Sequence, residues 1–412
     1  MPPPSPELAD YLLGEIFLRL PPEDIACLLR ASLACKRWRR ILADPAFRRR
    51  HREIHRTPRV LGFFRAMSKD LPYLSRYVPD NPASRRPAGC DLPGWLVLDC
   101  RHGRALFATP SPSLSTEVIL DFLVWDPLTG EQRHLPRPSP PPTQHPCSAP
   151  PPRESATTVA AMGGHSSWPF LFTTWIRNSG YITSTCVYSS ETGGWNELTS
   201  IDNPDVHIDD QPSPSTLAGD TLYFCGSMTY TFEYQLGAQR LSIMDRPPLP
   251  QQYRWKFIFL ISMEDGRLGC ADMELEPSLC LRLRLWSRET APDGFAHWSP
   301  GRGFEVETLL PSGALLAPRF TRANPPLMPK ADVCGFAEGT DVIFVGTNTH
   351  IGHTGAVYMV QLNSGKARKV FDGLDVVFPY TSFCIPGFVF LQLLMQLVLR
   401  GREVFQVHDK LR

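Results

Sequence analysis

Three groups of residues in this chain have types and spacing that could do chemistry, and each falls short of a site. His51 and His55 lie four apart on a helical pattern, as zinc-binding histidines do in H-E-x-x-H, but the run reads H-R-E-I-H. An exposed basic helix face is expected there instead. His350 and His353 sit in the glycine-rich phrase THIGHTG with no third ligand nearby in sequence, so no metal is expected. MGGHSSW (162–168) is a serine-rich turn without the G-x-S-x-G elbow that exposes a nucleophile. No phosphate loop or dinucleotide fingerprint occurs. No catalytic residue, metal or cofactor is therefore assigned, and the chain is expected to act by binding.

The residues that could bind concentrate in 8–56, where three apolar helical stripes follow one another. Leu8, Leu12, Leu13, Ile16, Phe17 and Leu20 fall at the i, i+4, i+5, i+8 positions of one helix face. Pro21 and Pro22 stop that helix, and Pro22 suits the first turn of the next, where Glu23 and Asp24 favour the helix dipole. Ile25, Leu28, Leu29 and Leu33 form a second stripe; Trp38, Ile41 and Leu42 form a third. Asp44 reads as the N-cap of a further helical turn opened by Pro45. Periodicity alone also fits an ordinary bundle core. A unit this small and this rich in leucine usually completes its core against a partner.

The order of these elements closely resembles the F-box, the helical module by which a substrate receptor docks on the SKP adaptor of a cullin–RING ubiquitin ligase. Leu12, Leu13 and Ile16 stand at the LLxEI positions, Leu20-Pro21 at LP, Cys35 to Arg39 at CKxWR, and Asp44-Pro45-x-Phe47 closes the pattern. Two positions depart from it: Leu8-Ala9 replaces the usual LP, and Ala34 precedes the cysteine. The resemblance implies adaptor contacts and their immediate support at Leu8, Leu12, Leu13, Ile16, Leu20, Pro21, Ile25, Leu28, Leu33, Cys35 and Trp38.

With 412 residues the chain has room for a small and a large domain. A net charge of +1 argues against a nucleic-acid or membrane partner for the whole surface. From Arg30 to Arg59 there are 11 Lys and Arg against Asp44 and Glu53. That run suits a solvated helix face or an acidic partner such as a SKP-family adaptor. Eleven cysteines without any C-x-x-C pair suggest free thiols in a reducing compartment. No signal peptide precedes the helical unit, so cytoplasm or nucleus is expected.

After residue 60 the pattern changes to short apolar runs ended by Gly, Asp, Asn or Pro, a strand-and-turn signal. One phrase, a turn and then an apolar strand, recurs at 101–110, 218–227, 263–273 and 337–347. A second, strand, polar turn and returning strand, recurs at 122–136, 185–199, 231–245, 282–299 and 357–371. Gly130, Gly193, Gly237 and Gly365 mark its turns, where positive φ is expected. Repeated four-strand units predict a β-propeller, with Trp125, Tyr188, Tyr234 and Trp286 filling the layers between blades. VLGFF (60–64) and VVFPYTSF (376–383) are expected to share a sixth blade and close the ring. A two-sheet sandwich is the competing fold. The fold class is thus a small helical F-box followed by an all-β propeller of six blades.

The phrases WLVLDCRHGRALFATP, VWDPLTGE, CVYSSETGGWNELTS and GKARKVFDG resemble the C-terminal domain of plant F-box proteins, which are thought to be kelch-like propellers. The expected organisation is an F-box at 1–56, a propeller at 57–384 with a proline-rich insertion at 136–152, and an apolar tail at 385–412. That tail carries Pro386, Gln392 and Gln396 and is not expected to span a membrane. Together the two resemblances imply a substrate adaptor of an SCF-type ligase, with an unidentified target protein. A scaffold not engaged with a cullin is the alternative, and a propeller enzyme is a more distant one. Target choice is expected in segments that do not repeat, with Asp209 and Asp210 in one and Arg319 and Arg322 in the other.

Overall fold

A computed structural model describes residues 8–20, 25–55, 57–67, 74–80, 91–109, 121–127, 130–138, 156–160, 167–176, 180–197, 199–202, 213–226, 230–245, 258–276, 278, 280–291, 296–315, 330–347, 355–373 and 375–382. The chain divides into a helical unit that ends at Arg59 and a β unit that spans Val60–Trp125 and Gln132–Thr381. The tail from residue 385, most of the proline-rich insertion, Asp209, Asp210, Arg319, Arg322, His350 and His353 lie outside the described residues.

The helical unit contains α1 (Asp10–Leu18), α2 (Ile25–Ala34), α3 (Lys36–Ala43) and α4 (Pro45–His55). Leu13, Phe17, Leu18, Leu28, Ala31, Leu42 and Phe47 form its core, with Leu20, Trp38 and Ile41 packed against it. Trp38 is half-buried and meets Phe17 edge-on, with ring centroids 5.3 Å apart. Cys35 caps α3 with its own sulfur, which accepts the Trp38 N–H at 3.4 Å. Asp44 caps α4 as expected, since its Oδ1 accepts the Ala46 N–H at 2.8 Å. The further turn expected after Pro45 is a full helix of 11 residues. Phe47 and His51, four apart, supply the buried face that holds it in place.

The β unit is a six-bladed propeller, not a sandwich. Blade 1 joins Arg59–Met67, Leu74–Pro79 and Asp91–Pro93 to the last strand, Val377–Ser382, in the order last, first, second, third. The expected sharing of a blade between early and late strands is thus observed, and it removes the free edges of an open ring. Arg65 Nε donates to Asp375 Oδ2 at 2.8 Å, holding the late segment to the early one. Blades 2 to 6 occupy residues 96–135, 156–202, 216–245, 259–305 and 331–372, each an antiparallel meander. Blade 3 carries a fifth strand, Thr199–Asp202, which pairs with Gly180–Ser189.

Strand alternation explains how the blades pack. Neighbouring side chains point to opposite faces of a sheet. Phe63 therefore meets Phe344 of blade 6 at 5.4 Å, while Phe64 meets Phe107 and Trp125 of blade 2 at 5.3 and 5.8 Å. The repeated aromatic position does the same around the ring. Tyr188 lies with Phe122 and Leu135 between blades 2 and 3, and Tyr234 lies in the layer that Val187 and Ile201 reach from blade 3. Trp286 is half-buried between blades 4 and 5. In blade 6 the same phase holds Val360, fully buried.

Two glycines answer specific demands. A β-carbon on Gly335 would fall 2.9 Å from both the Cβ and the carbonyl oxygen of Val377, so blade 6 can approach the closing strand only with glycine there. Gly130, Gly193 and Gly365 take positive φ as expected, but Gly237 does not. In its turn Gln239 is the residue with positive φ, at 51°, two positions later. Gly237 plays a different part: its N–H donates to Asp220 Oδ2 at 2.9 Å, and a β-carbon there would push that carboxylate aside.

Candidate functional site

Two places in the molecule gather functional side chains, one in each unit. In the helical unit, α1 carries two apolar stripes with different fates. Leu13 and Phe17 face the core, whereas Leu12 and Ile16 are exposed at 38% and 45%, and Leu8 continues that stripe outside. Tyr11 is 72% exposed beside it, and Leu33 is exposed on α2. Soluble surfaces carry single apolar residues everywhere, but a spaced stripe on a unit whose core is already filled marks an interaction surface.

The residues singled out from sequence thus separate by role. Leu8, Leu12, Ile16 and Leu33 are presented outward, and Cys35 is exposed while capping α3. Leu13 and Leu28 are buried; Leu20 and Trp38 are half-buried against the core. Pro21 and the side chain of Ile25 lie outside the described residues. Tyr11 and the exposed Ile54 were missed, because both lie off the stripes that periodicity selects.

Part of the basic run is neutralised within the unit. Arg37 and Arg40 both pair with Asp10, at 2.7 and 3.2 Å, and Arg50 pairs with Glu15 at 2.7 Å. The hydrogen bond from Arg37, aided by its charge and by Arg40, lowers the Asp10 carboxyl pKa. These exposed pairs orient α3 and α4 on α1 more than they stabilise them.

The expectation of an exposed basic face at His51 and His55 is corrected. His51 is buried at 2% exposure, 6.0 Å from the Phe47 ring and 4.3 Å from the His55 ring. The i, i+4 spacing from Phe47 turns it into the core. Neither of its ring nitrogens finds a hydrogen-bond partner among the described residues. Burial, then the charges of His55 and Arg52, push its pKa from 6.5 down to about 4. A depressed folded-state value means that stability is complete above about pH 6.5 and is lost as pH falls through 4. His51→Leu is expected to flatten the helical unit's thermal stability between pH 4.5 and 6.5, whereas the wild type loses about 2 kcal/mol there. Circular dichroism at 222 nm across that range checks it.

The second place is at the centre of the propeller, where residues of blades 2, 4, 5 and 6 and of the closing strand Val377–Ser382 surround a small cavity. Asp99 and Arg101 stand in blade 2, Ser215 just before blade 4, and Glu338 just after the first strand of blade 6. Arg101 Nε lies 3.1 Å from Asp99 Oδ2 and 3.5 Å from Glu338 Oε2. Its Nη2 donates to both the carbonyl and the hydroxyl oxygen of Ser215, each at 2.9 Å. One guanidinium thus ties three alternate blades across the axis. The side chains leave a cavity of about 20 Å3, room for a single water. No repeat could reveal this knot, since Ser215 and Glu338 each lie more than 100 residues from Arg101; the sequence signal is the pair of charges, Asp99 and Arg101, inside the apolar run WLVLDCRHG.

Burial would lower the Arg101 pKa, but Asp99 and Glu338 outweigh it and hold it up. Glu338 is raised, by burial first and by Asp99 second, against the pull of Arg101. A carboxyl whose folded pKa is raised favours folding fully only below its ordinary value near 4.5, and that contribution is lost as pH rises through the folded value. Glu338→Gln keeps an acceptor for the Leu217 N–H, now 3.0 Å away, and removes the surplus charge. The variant is expected to melt above the wild type at pH 7 and to lose that advantage below pH 4.5, in a pH series of Tm.

Among the described residues no three His, Cys, Asp or Glu side chains come together as a metal site, and no helix is long and apolar enough to cross a membrane. The eight described cysteines are free thiols, and burial pushes that of Cys186 up to about 12.

Comparison with known proteins finds a match for residues 10–53 to the F-box-like family model. No curated protein matches. Among solved structures the chain is similar to a putative 6-phosphogluconolactonase from Bacteroides uniformis, at 13% identity over 66% of this chain and 83% of that one, with a TM-score of 0.35. It is also similar to SapL1 lectin in complex with alpha methyl fucoside, at 10% identity, 78% and 98% coverage and a TM-score of 0.33. AofleA from Arthrobotrys oligospora gives 11%, 76% and 79%, and 0.33. Likenesses this distant carry no argument about what the chain binds.

Proposed function

We propose that this chain, an F-box-like domain followed by a six-bladed propeller, is the substrate-recognition subunit of an SCF-type ubiquitin ligase. The F-box binds a SKP-family adaptor and, through it, a cullin–RING ligase. The kelch-like propeller holds a target protein. The observation that carries this reading is the exposed stripe of Leu8, Leu12 and Ile16 on a helical unit whose own core is complete without it. An apolar helix face of this kind fits a hydrophobic groove on a partner.

The chain performs no bond chemistry in this reading. It works by holding a target's lysines near the ubiquitin donor, which raises their effective concentration. The non-repeating segments with Asp209, Asp210, Arg319 and Arg322 contribute to the choice of target. Action in cytoplasm or nucleus follows from the ligase it joins. Co-purification of the full chain with a SKP-family adaptor tests the docking half. Accumulation of co-purifying proteins on proteasome inhibition tests the degradation half. A chain that captures targets without binding the adaptor is a scaffold.

A further inference from the structure

Between blades 5 and 6 lies a cleft of about 300 Å3, within the size range of pockets that hold small ligands or single side chains. Its floor is apolar, made by Ile261, Leu285, Phe304, Phe336 and Leu362 from both blades. Its rim is charged. Glu264 and Asp265 come from the first turn of blade 5, Asp341 from the first turn of blade 6, and Asn363 from a later turn of blade 6.

The rim charges are not all spent within the protein. Asp265 is held by Arg267 at 2.6 Å, which itself reaches Glu289 at 3.2 Å. Among the described residues Glu264 receives the Asn363 side-chain amide at 3.5 Å, and Asp341 receives the Asn363 backbone N–H at 3.2 Å. Neither carboxylate forms an ion pair among the described residues. Arg302 also lines the cleft: it donates to Asn363 Oδ1 at 3.2 Å and lies over the Phe304 ring at 4.9 Å, so one guanidinium faces the three rim carboxylates and the rim stays net negative. The mouth therefore offers two available carboxylates above an apolar pocket.

We infer that this cleft is a peptide-binding site that takes an apolar side chain flanked by Lys or Arg. The apolar side chain fills the floor, and the basic neighbours meet Glu264 and Asp341. The walls are strands of two adjacent blades, so the site is preorganised and loses little freedom on binding. As the place where a degradation target is held, the assignment rests on the ligase reading; as a peptide site, it does not.

The test uses the full-length chain and three fluorescein-labelled peptides: Gly-Lys-Leu-Lys-Gly, Gly-Glu-Leu-Glu-Gly and Gly-Lys-Gly-Lys-Gly. Fluorescence anisotropy is expected to show the first binding about tenfold or more tighter than the other two. Glu264→Lys, at an exposed position, should abolish the preference for lysine over glutamate. Asn363→Trp, also exposed, should cover the mouth and lower affinity for the first peptide about tenfold. Equal binding of the three peptides, no binding up to about 1 mM, or unchanged binding by both variants would overturn the assignment. Adaptor binding by the same preparations reports separately on the ligase reading.

Discussion

Arg101→Met is expected to destabilise the propeller by about 3–5 kcal/mol. The guanidinium is almost fully buried and answers two carboxylates and both oxygens of Ser215. Removing it strands Asp99, at 2% exposure, beside the raised Glu338 with no cation between them. Arg101→Lys should recover little, because an ammonium cannot reach Asp99, Glu338 and Ser215 with one planar fork. Arg101→Met combined with Asp99→Asn and Glu338→Gln should melt above the single mutant, since the stranded charges are then gone. Thermal unfolding followed by circular dichroism reads all three. A single mutant that melts with the wild type would mean that the channel knot contributes nothing to closing the ring.

Leu12→Asp with Ile16→Asp is expected to weaken adaptor binding about 100-fold or more while leaving the melting of both units unchanged. Both side chains are exposed, so charging them removes nothing from the core. A buried carboxylate in the complex would have no partner, and central apolar anchors at interfaces commonly carry 2 kcal/mol or more each, roughly. This pair separates docking from folding better than Leu20 or Trp38, both of which pack on the core and would loosen it. Leu13→Asp is the contrasting control: that side chain is buried with Phe17 and Leu28, and its replacement should unfold the helical unit.

The parts of the fold that could be read from the sequence are those carried by local pattern. Helix stripes, the Asp44 cap and the strand–turn–strand phrases follow from period and turn chemistry within a few residues, and the blade shared by the first and last strands follows from the need to close the ring. Misreadings arose where local type and three-dimensional role part company. Gly237 looks like a turn glycine, yet Gln239 bends the chain and Gly237 makes room for Asp220. His51 sits among arginines and reads as surface, yet its phase with Phe47 buries it. The channel knot was invisible because a propeller assembles it from blades distant in sequence. The stripe of α1 showed that apolar residues recur but could not say which side is covered; burial separates Leu13 from Leu12.

Titration of the full-length chain against a purified SKP-family adaptor by isothermal calorimetry tests the central claim most directly. The account predicts a 1:1 complex of about micromolar affinity or tighter, lost when Leu12 and Ile16 are both aspartate. A wild-type chain that is folded, with cooperative melting of both units, and gives no binding heat and no co-elution with the adaptor would contradict it.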